Sequence, residues 1–453
     1  MDSLTSLKYN GKVKIIVVDN SEAYDDLELW RDYVEDQNSV LSHKGTEVHW
    51  ISRDPKAKGF KPLNLDVGFQ ECIANDDEIE YIMYVDADST FEENTLNHLV
   101  QEFIDSPDIG YMQLMTAANN MDVNQLSRIV GMQQTIYRLV LGEVGNWGIP
   151  IFYGHNAIFR RCVVEDVGTF LESDSHGEFI LTEDFSVTIR SYLNGYYGKT
   201  YWLLSGEGVP TSLKALKGMW ERWAIGGLQV LTKQFRPVLQ SKKINLFEKL
   251  SFFYHGLCYP NHALIPIMIL ISPLISDFAI MVTALTVLNA TISILVFRKN
   301  FSFLTASVKP GLMDEFLAFF TINTYIIWIM FCATGKFLSK LIIGNIRPFI
   351  LTWNVTPKGK ETQISIYTIF KDHLGIIVFT LLFAMVSYYA MASGSLDYSN
   401  LFNLLPALIF IGNLLLSVLL FGKSRRVSVK QTFKKRVVAD KSTHDVSKKV
   451  VYS

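Results

Sequence analysis

Five uncharged stretches crowd the half of the chain that follows Phe247: residues 251–276, 278–297, 316–335, 374–392 and 401–421. Each is close to the roughly 20 residues with which a helix crosses the hydrocarbon of a bilayer. In hydrocarbon the backbone must satisfy its own hydrogen bonds, so such stretches are restricted to helices. Charges concentrate instead in the first half, which carries β-rich runs separated by helical patterns. The predicted organisation is therefore a soluble α/β domain over 1–240, a membrane domain over 241–422, and a tail over 423–453 rich in Lys, Arg, Ser and Thr. That tail has the composition of a disordered cytosolic extension able to touch anionic headgroups.

Charge placement orders the membrane half. Arg298, Lys299 and Lys309 precede the third stretch and Lys336, Lys340 and Arg347 follow it, whereas the segments around Asp277 and Asp397 carry no basic residue. Basic flanks face the cytosol. Both ends of the third stretch then lie on one side, which predicts four spanning helices and an interfacial or re-entrant segment near 316–348; five true spans are the alternative. The net formal charge of −2 does not suggest a nucleic-acid partner. Cys72, Cys162, Cys258 and Cys332 stand far apart with no Cys-x-x-Cys spacing, which argues against zinc or a disulfide framework and suits a reducing cytosol.

In the soluble half, the run 12–18 ends at Asp19-Asn20-Ser21, 47–51 is a second β-rich run, and 81–85 empties into Asp86-Ala87-Asp88. This alternation predicts a parallel sheet with helices between strands, and ligand-binding groups at the strand ends. Two carboxylates one residue apart at a strand end can hold a hard divalent cation together with the phosphates it carries. A basic loop, 53–61, leads into Lys61-Pro62-Leu63-Asn64, where a cation and free helix-start amides suit a phosphate or a uracil edge. Thr182-Glu183-Asp184 offers a later acidic pair, one of which can serve as a base. Met219-Trp220-Glu221-Arg222-Trp223 follows, a cation for phosphate beside a flat apolar ring.

In order and spacing these elements resemble the family 2 glycosyltransferases of GT-A type, and among them the synthases of cellulose, chitin and hyaluronan. The resemblance implies that Asp19 contacts the nucleotide base, with Asn20 in place of the usual second acid, and that Lys61 serves the nucleotide. It implies that Asp88 holds Mg²⁺ or Mn²⁺ while Asp86 faces the ribose or shares the metal. Gly154, Asn156, Arg160 and Arg161 match the family's glycine and asparagine before a basic pair. Thr182, Glu183 and Asp184 match the acceptor-side acid motif, with Asp184 as base. Arg222 and Trp223 match the end of a Gln-x-x-Arg-Trp sequence in which Met219 stands for the Gln. Trp353 to Gly359 resembles the gating loop of bacterial cellulose synthase, which assigns Thr356 and Lys358, within a loop over 353–360, to the diphosphate. The implied activity is inverting, metal-dependent transfer from a nucleotide diphosphate sugar, a UDP-sugar being the expected donor, to a polysaccharide or lipid acceptor. The implied place is the cell membrane, multi-pass, with a cytosolic catalytic domain. A strand bearing a Pro-x-Tyr-Asn-Glu type sequence opens the family's fold, and this sequence begins after it. The expected fold is thus a GT-A-like α/β domain with its first strand missing, followed by an all-α transmembrane domain.

Taken singly, each motif has a plainer explanation. Asp86-Ala87-Asp88-Ser89-Thr90 also fits the Asp-x-Asp-x-Thr signature of haloacid-dehalogenase-like phosphatases, whose first aspartate is a nucleophile. The downstream lysine and Gly-Asp-x-x-x-Asp element of that fold have no convincing match here. Glu183-Asp184 can simply start a helix, Trp220 and Trp223 can anchor at an interface, and Arg222 can snorkel. His155, His255 and His262 are isolated and read as structural histidines. A non-processive enzyme acting on a lipid acceptor, and an inactive truncated remnant, remain the functional alternatives.

Overall fold

The computed structural model describes residues 2–19, 24–41, 45–54, 59–74, 76, 78–274, 291, 317–343, 371, 373–394, 396 and 404–421. The loop 353–360 with Thr356 and Lys358, the tail 423–453 and, apart from Thr291, the stretch 278–297 lie outside the described residues.

The chain runs through α1 (Asp2–Thr5), β1 (Val13–Asp19), α2 (Tyr24–Leu41), β2 (Thr46–Ser52), α3 (Phe60–Ile73), β3 (Tyr81–Tyr84), α4 (Thr95–Asp105), β4 (Ile109–Ala118) and α5 (Gln125–Trp147). It continues through β5 (Ala157–Arg160), α6 (Arg161–Val167), α7 (Glu183–Asn194), β6 (Tyr197–Glu207), α8 (Leu213–Gln240) and α9 (Leu246–Ile271). The C-terminal helices are α10 (Asn323–Ile343), α11 (Leu374–Ala392) and α12 (Leu405–Phe421).

The strands form two sheets, one of β1 and β2 in parallel, the other in the order β3-β5-β4-β6. The second sheet is mixed, which corrects the expectation of a parallel one. β5 is antiparallel to both β3 and β4, while β4 and β6 are parallel. The reversal follows from what precedes β5. The 23-residue α5 returns along the sheet, and the segment after it turns back through Gly154 and Asn156, both in the left-handed region, before β5 inserts between two strands already in place.

Side-chain alternation fits this placement. Ile82 and Tyr84 of β3 enter the main core with Phe152, Phe159 and Phe170, while Tyr81 and Met83 pack on the opposite face with Leu99 and Phe103 of α4. Period-2 alternation of this kind is what lets one short strand feed two cores. Arg160, at the end of β5, donates from Nε to the Ile109 carbonyl (2.8 Å) and from its terminal nitrogen to the Phe103 carbonyl (2.8 Å). It therefore ties the sheet to α4 and is a structural residue.

Two capping boxes set the helices that frame the site. Asn124 and Ser127 close the start of α5, and Asn245 and Glu248 that of α9. Such reciprocal caps satisfy amides that a helix start leaves unpaired. Among the described residues three helices are long and apolar enough to cross a membrane: Leu246–Leu274, Phe320–Ile342 and Leu374–Ala392, with a shorter apolar helix at Ala407–Phe421.

α10 packs against α8 and α9, and two of its lysines, one turn apart, reach acids of the strand-containing half. Lys336 pairs with Glu221 of α8, and Lys340 pairs with Glu178 in the segment before α7. The Lys340 side chain is 8% exposed and that of Glu178 20%, so this second pair is shielded from solvent. Reversing Lys340→Glu or Glu178→Lys singly is expected to lower the thermal midpoint, and the double reversal to recover part of it. A double-mutant cycle on the purified protein is expected to return a coupling of about 1–3 kcal/mol.

Candidate active site

The end of β3 opens into a tight turn. Ser89 donates its backbone N–H to the Asp86 carbonyl (3.0 Å), and the Asp86 N–H donates back to Ser89 Oγ (3.1 Å). The turn leaves both acidic side chains at the strand end, with Asp86 Oδ1 2.7 Å from Lys61 Nζ. Lys61 lies in the first turn of α3, where Pro62 is tolerated because the first amides of a helix have no internal partner. Asp88 Oδ2 accepts the Gly208 N–H (2.9 Å), and the Asp88 carbonyl accepts from Asn119 Nδ2 (2.8 Å).

Gly154 joins this corner to α7. A Cβ on Gly154 would stand 3.2 Å from Asp184 Oδ2 and 3.3 Å from Lys61 Nζ, and its φ of +83° already disfavours any side chain. Asp86, Lys61 and Asp184 therefore share one small volume. Thr182 holds the N-cap position of α7 without a side-chain cap bond, and Glu183 and Asp184 occupy its first turn, where the helix dipole favours acids. Asp184 Oδ1 accepts the Phe185 N–H at 2.8 Å, which fixes the carboxylate.

Burial dominates the electrostatics of this corner. It pushes the Glu183 carboxyl well above the usual range, with neighbouring Asp184 adding to the rise. Asp184 is also raised by burial, against the opposing pull of the Phe185 amide, Lys61, Arg138 and His155. For Lys61 burial works against the charge, but Asp86, Glu183 and Asp184 outweigh it and hold its pKa above the ordinary lysine value.

α8 brings the next pair. A Cβ on Gly226 would sit 2.7 Å from the Thr182 backbone nitrogen, so only glycine lets α8 approach the start of α7 this closely. Arg222 lies one turn earlier on α8, and its charge, opposed by burial, is supported by Glu183, Asp184 and Asp86. Trp223 is half-buried and rests against Trp220, with ring centroids 5.1 Å apart; the Arg138 guanidinium carbon is 6.0 Å from the Trp223 ring. Met219 is buried and takes a weak contact from Gln134 Nε2 at 3.5 Å.

Asp19 connects to this corner through α3. Its carbonyl accepts the Arg53 N–H (2.7 Å), and the Arg53 guanidinium donates to Asn64 Oδ1 (2.5 Å), three residues after Lys61. His155, read from the sequence as a structural histidine, is buried with its Nε2 2.8 Å from Glu207 Oε2, a partner the sequence did not indicate. Glu207, Arg138, Gln113 and Gly226 were also not anticipated. The one sequence signal for Glu207 is its place at the end of a β-rich run, the same position that marks Asp86.

The sequence pattern described as glycosyl transferase family group 2 matches residues 81–339, more than half of the chain. The chain belongs to that family. The match takes in the Asp86-Ala87-Asp88 turn, the α7 acids and the Arg222-Trp223 pair, and with it the phosphatase alternative for the same aspartates falls away. Among curated relatives, the family 2 chain is similar to a poly-β-1,6-N-acetyl-D-glucosamine synthase of Staphylococcus epidermidis, strain RP62A, at 24% identity over 291 residues, covering 60% of this chain and 62% of the relative. It is similar to the synthase of the same name from Staphylococcus aureus, strain COL, at 25% identity over 262 residues, covering 54% of this chain and 55% of the relative. The chain thus spans about three fifths of the length of the curated relatives it matches.

Two outcomes test the site as built. Gly154→Ala is expected to abolish nucleoside diphosphate binding, measured by calorimetry, because the new methyl group meets Asp184 and Lys61. Glu183→Gln is expected to raise the thermal midpoint by several degrees at pH 8.5 and to change it little at pH 5. The sign follows from linkage: a carboxyl raised in the folded state binds its proton more tightly there than when unfolded, so stability falls as pH climbs from the ordinary carboxylate range through the raised value. The amide removes that loss.

Proposed function

We propose that this family 2 chain transfers a sugar from a nucleotide diphosphate sugar to a growing polysaccharide at the membrane, with inversion at the anomeric carbon. The observation that carries this is the convergence of Lys61, Asp86 and Asp184 around Gly154, with Arg222 facing the same acids.

The leaving diphosphate gathers negative charge in the transition state, and Lys61 and Arg222 are the cations within reach of it. Asp184 takes the proton of the attacking hydroxyl. Its raised proton affinity suits a base that must accept one, and its bond from the Phe185 amide fixes where it does so. Trp223 offers the flat apolar face on which an acceptor sugar stacks.

Among the described residues no cluster of three or more His, Cys, Asp or Glu side chains is placed to hold a metal ion. Asp86 and Asp88 fit a different arrangement, in which Mg²⁺ or Mn²⁺ takes one or two protein carboxylates and completes its shell with substrate phosphate and water. Asp88 would hold the ion with Asp86 beside it, and when bound the ion supplies Lewis-acid stabilisation of the leaving diphosphate. Asp19 and Thr182 would serve the nucleotide and the acceptor side respectively, and Thr356 and Lys358 a lid over the diphosphate.

The pairing of Lys336 and Lys340 with the soluble domain supports an interfacial α10, a cytosolic catalytic half and four spanning helices in a multi-pass membrane protein. The polymer named in the relatives makes a UDP-linked N-acetylglucosamine the first donor to try.

Membranes containing the full chain, incubated with a panel of nucleotide sugars, test the proposal by release of nucleoside diphosphate. A ladder of long product is expected, and a single extractable glycolipid would favour the lipid-acceptor alternative. Asp184→Asn is expected to lower release by at least about a hundredfold; release at the wild-type rate would remove Asp184 as base. Failure of every donor would favour the inactive alternative.

A further inference from the structure

Ahead of the α7 acids the chain makes a short hairpin, residues 172–181, to which the transfer chemistry above gives no part. Asp174 closes its tip: the Oδ1 atom accepts the amides of His176 (2.8 Å) and Glu178 (3.0 Å), and the Asp174 N–H donates to the Glu178 carbonyl (2.7 Å). Below the tip Ser173 pairs with Phe179, and the Ile180 N–H donates to the Glu172 carbonyl (2.9 Å). Glu172 accepts from Ser186 of α7, and Glu178 is the partner of Lys340, so the hairpin is fastened on both strands. Its last residue, Leu181, directly precedes Thr182-Glu183-Asp184.

One face of α8 follows this hairpin in order. Arg222, Gly226, Gln229 and Lys233 recur at spacings of three and four, which stacks them along one side of a helix. Lys233 pairs with Glu172 and donates to the Ser173 carbonyl (2.6 Å). Gln229, 1% exposed, donates from Nε2 to Asp174 Oδ2 (2.9 Å) and to the Phe179 carbonyl (3.2 Å), and its Oε1 accepts the Leu181 N–H (3.1 Å). Gly226 then lies against the Thr182 backbone nitrogen. Only one orientation of the Gln229 amide satisfies these partners, because reversing it would set a donor against the Leu181 N–H and an acceptor against the Asp174 carboxylate. A buried side chain engaged at both ends in this way holds its partners in a single arrangement.

We propose that Gln229 is a positioning residue for sugar transfer: by holding the Leu181 amide from α8, it sets the first turn of α7, with Asp184, in register with Arg222 and Trp223. The proposal rests on the assignment of Asp184 as base. Asp184 is fixed from its C-terminal side by the Phe185 amide, and Gln229 grips the chain three residues to its N-terminal side. The bonds of Gln229 run to the hairpin and to Leu181, none of them to Lys61 or Asp86, so its loss bears on the acceptor side and spares the nucleotide side. A misplacement of about 1 Å in a reacting group costs on the order of a hundredfold in rate.

Gln229→Met keeps the length and nearly the volume of the side chain while removing all three bonds. In the full-length protein the expected result is a donor KM and a nucleoside diphosphate affinity within about twofold of wild type, with kcat for transfer lowered about ten- to a hundredfold. An unchanged kcat would overturn the proposal. So would a loss of kcat matched by an equal loss of nucleotide affinity, which marks a purely structural residue. Gln229→Glu sets two carboxylates together where Nε2 met Asp174, and adding Asp174→Asn exchanges donor and acceptor in that bond while leaving an oxygen for the Leu181 amide. The single variant is expected to be as slow as Gln229→Met and the double variant to recover about tenfold; a double variant that binds nucleoside diphosphate normally yet stays slow overturns the proposal, even where Gln229→Met fails to fold. Hydrogen exchange over residues 181–186 reads the tether without turnover and is expected to quicken about tenfold in Gln229→Met, unchanged exchange counting against it. Should Asp184→Asn retain full activity, the assignment of the base fails; should it be inactive while Gln229→Met transfers at the wild-type rate, the role of Gln229 alone fails.

Discussion

Three acids and one cation set the terms for the strand-containing half of the chain. Asp86 and the adjacent pair Glu183-Asp184 come from two distant stretches of chain and gather at a corner where Glu183 is buried and Asp86 is partly exposed, a placement in which like charges repel. Lys61 makes it tolerable: its ammonium sits on Asp86 and close to Asp184, and the three carboxylates together keep it charged despite its burial. The arrangement is poised to accept more cationic or protonated partners, since two of its carboxyls carry raised proton affinity even with Lys61 in place. Lys61, with Arg222 of α8 on the same side, supplies the positive charge set against these acids.

The scaffold is arranged to hold that balance. α3 carries Lys61 and leans on β1, so the small two-stranded sheet and the four-stranded sheet are joined through the helix that bears the cation. Gly154 and Gly226 give the two close approaches, one of the β5 entry to Asp184 and one of α8 to Thr182. Gly208 donates its amide to Asp88 and the neighbouring Glu207 grips Arg138 and His155, so the end of β6 serves both Asp88 and a buried polar cluster.

The parts of this site legible in the sequence are those that sit at ends of regular elements. Asp86 follows an apolar run whose alternation marks a strand, Lys61 opens a helix, and Glu183 and Asp184 begin another; position in an element is written locally. The direction of β5 was not legible, because four residues carry no sign of which way they run and the reversal depends on a turn held by Gln113 from another strand. The pairing of His155 with Glu207 was hidden for the same reason. Arg138 and Glu207 stand 69 residues apart, and no spacing rule relates them. The C-terminal helices were legible as apolar length, whereas the ion pairs of α10 with Glu221 and Glu178 depend on tertiary placement.

The mixed sheet also fixes an order of assembly. β5 lies between β3 and β4, both of which precede it in the chain, and its register binds Tyr81 to Arg160. A growing chain that has completed β4 has no neighbour for either inner edge until α5 and the turn through Asn156 have emerged. The turn that sets Gly154 beside Asp184 leads directly into that late strand, and pairing across such long separations is slow. The corner formed by Lys61, Asp86 and Asp184 therefore draws its parts from both sides of the inserted strand, and no segment ending before α7 can contain it.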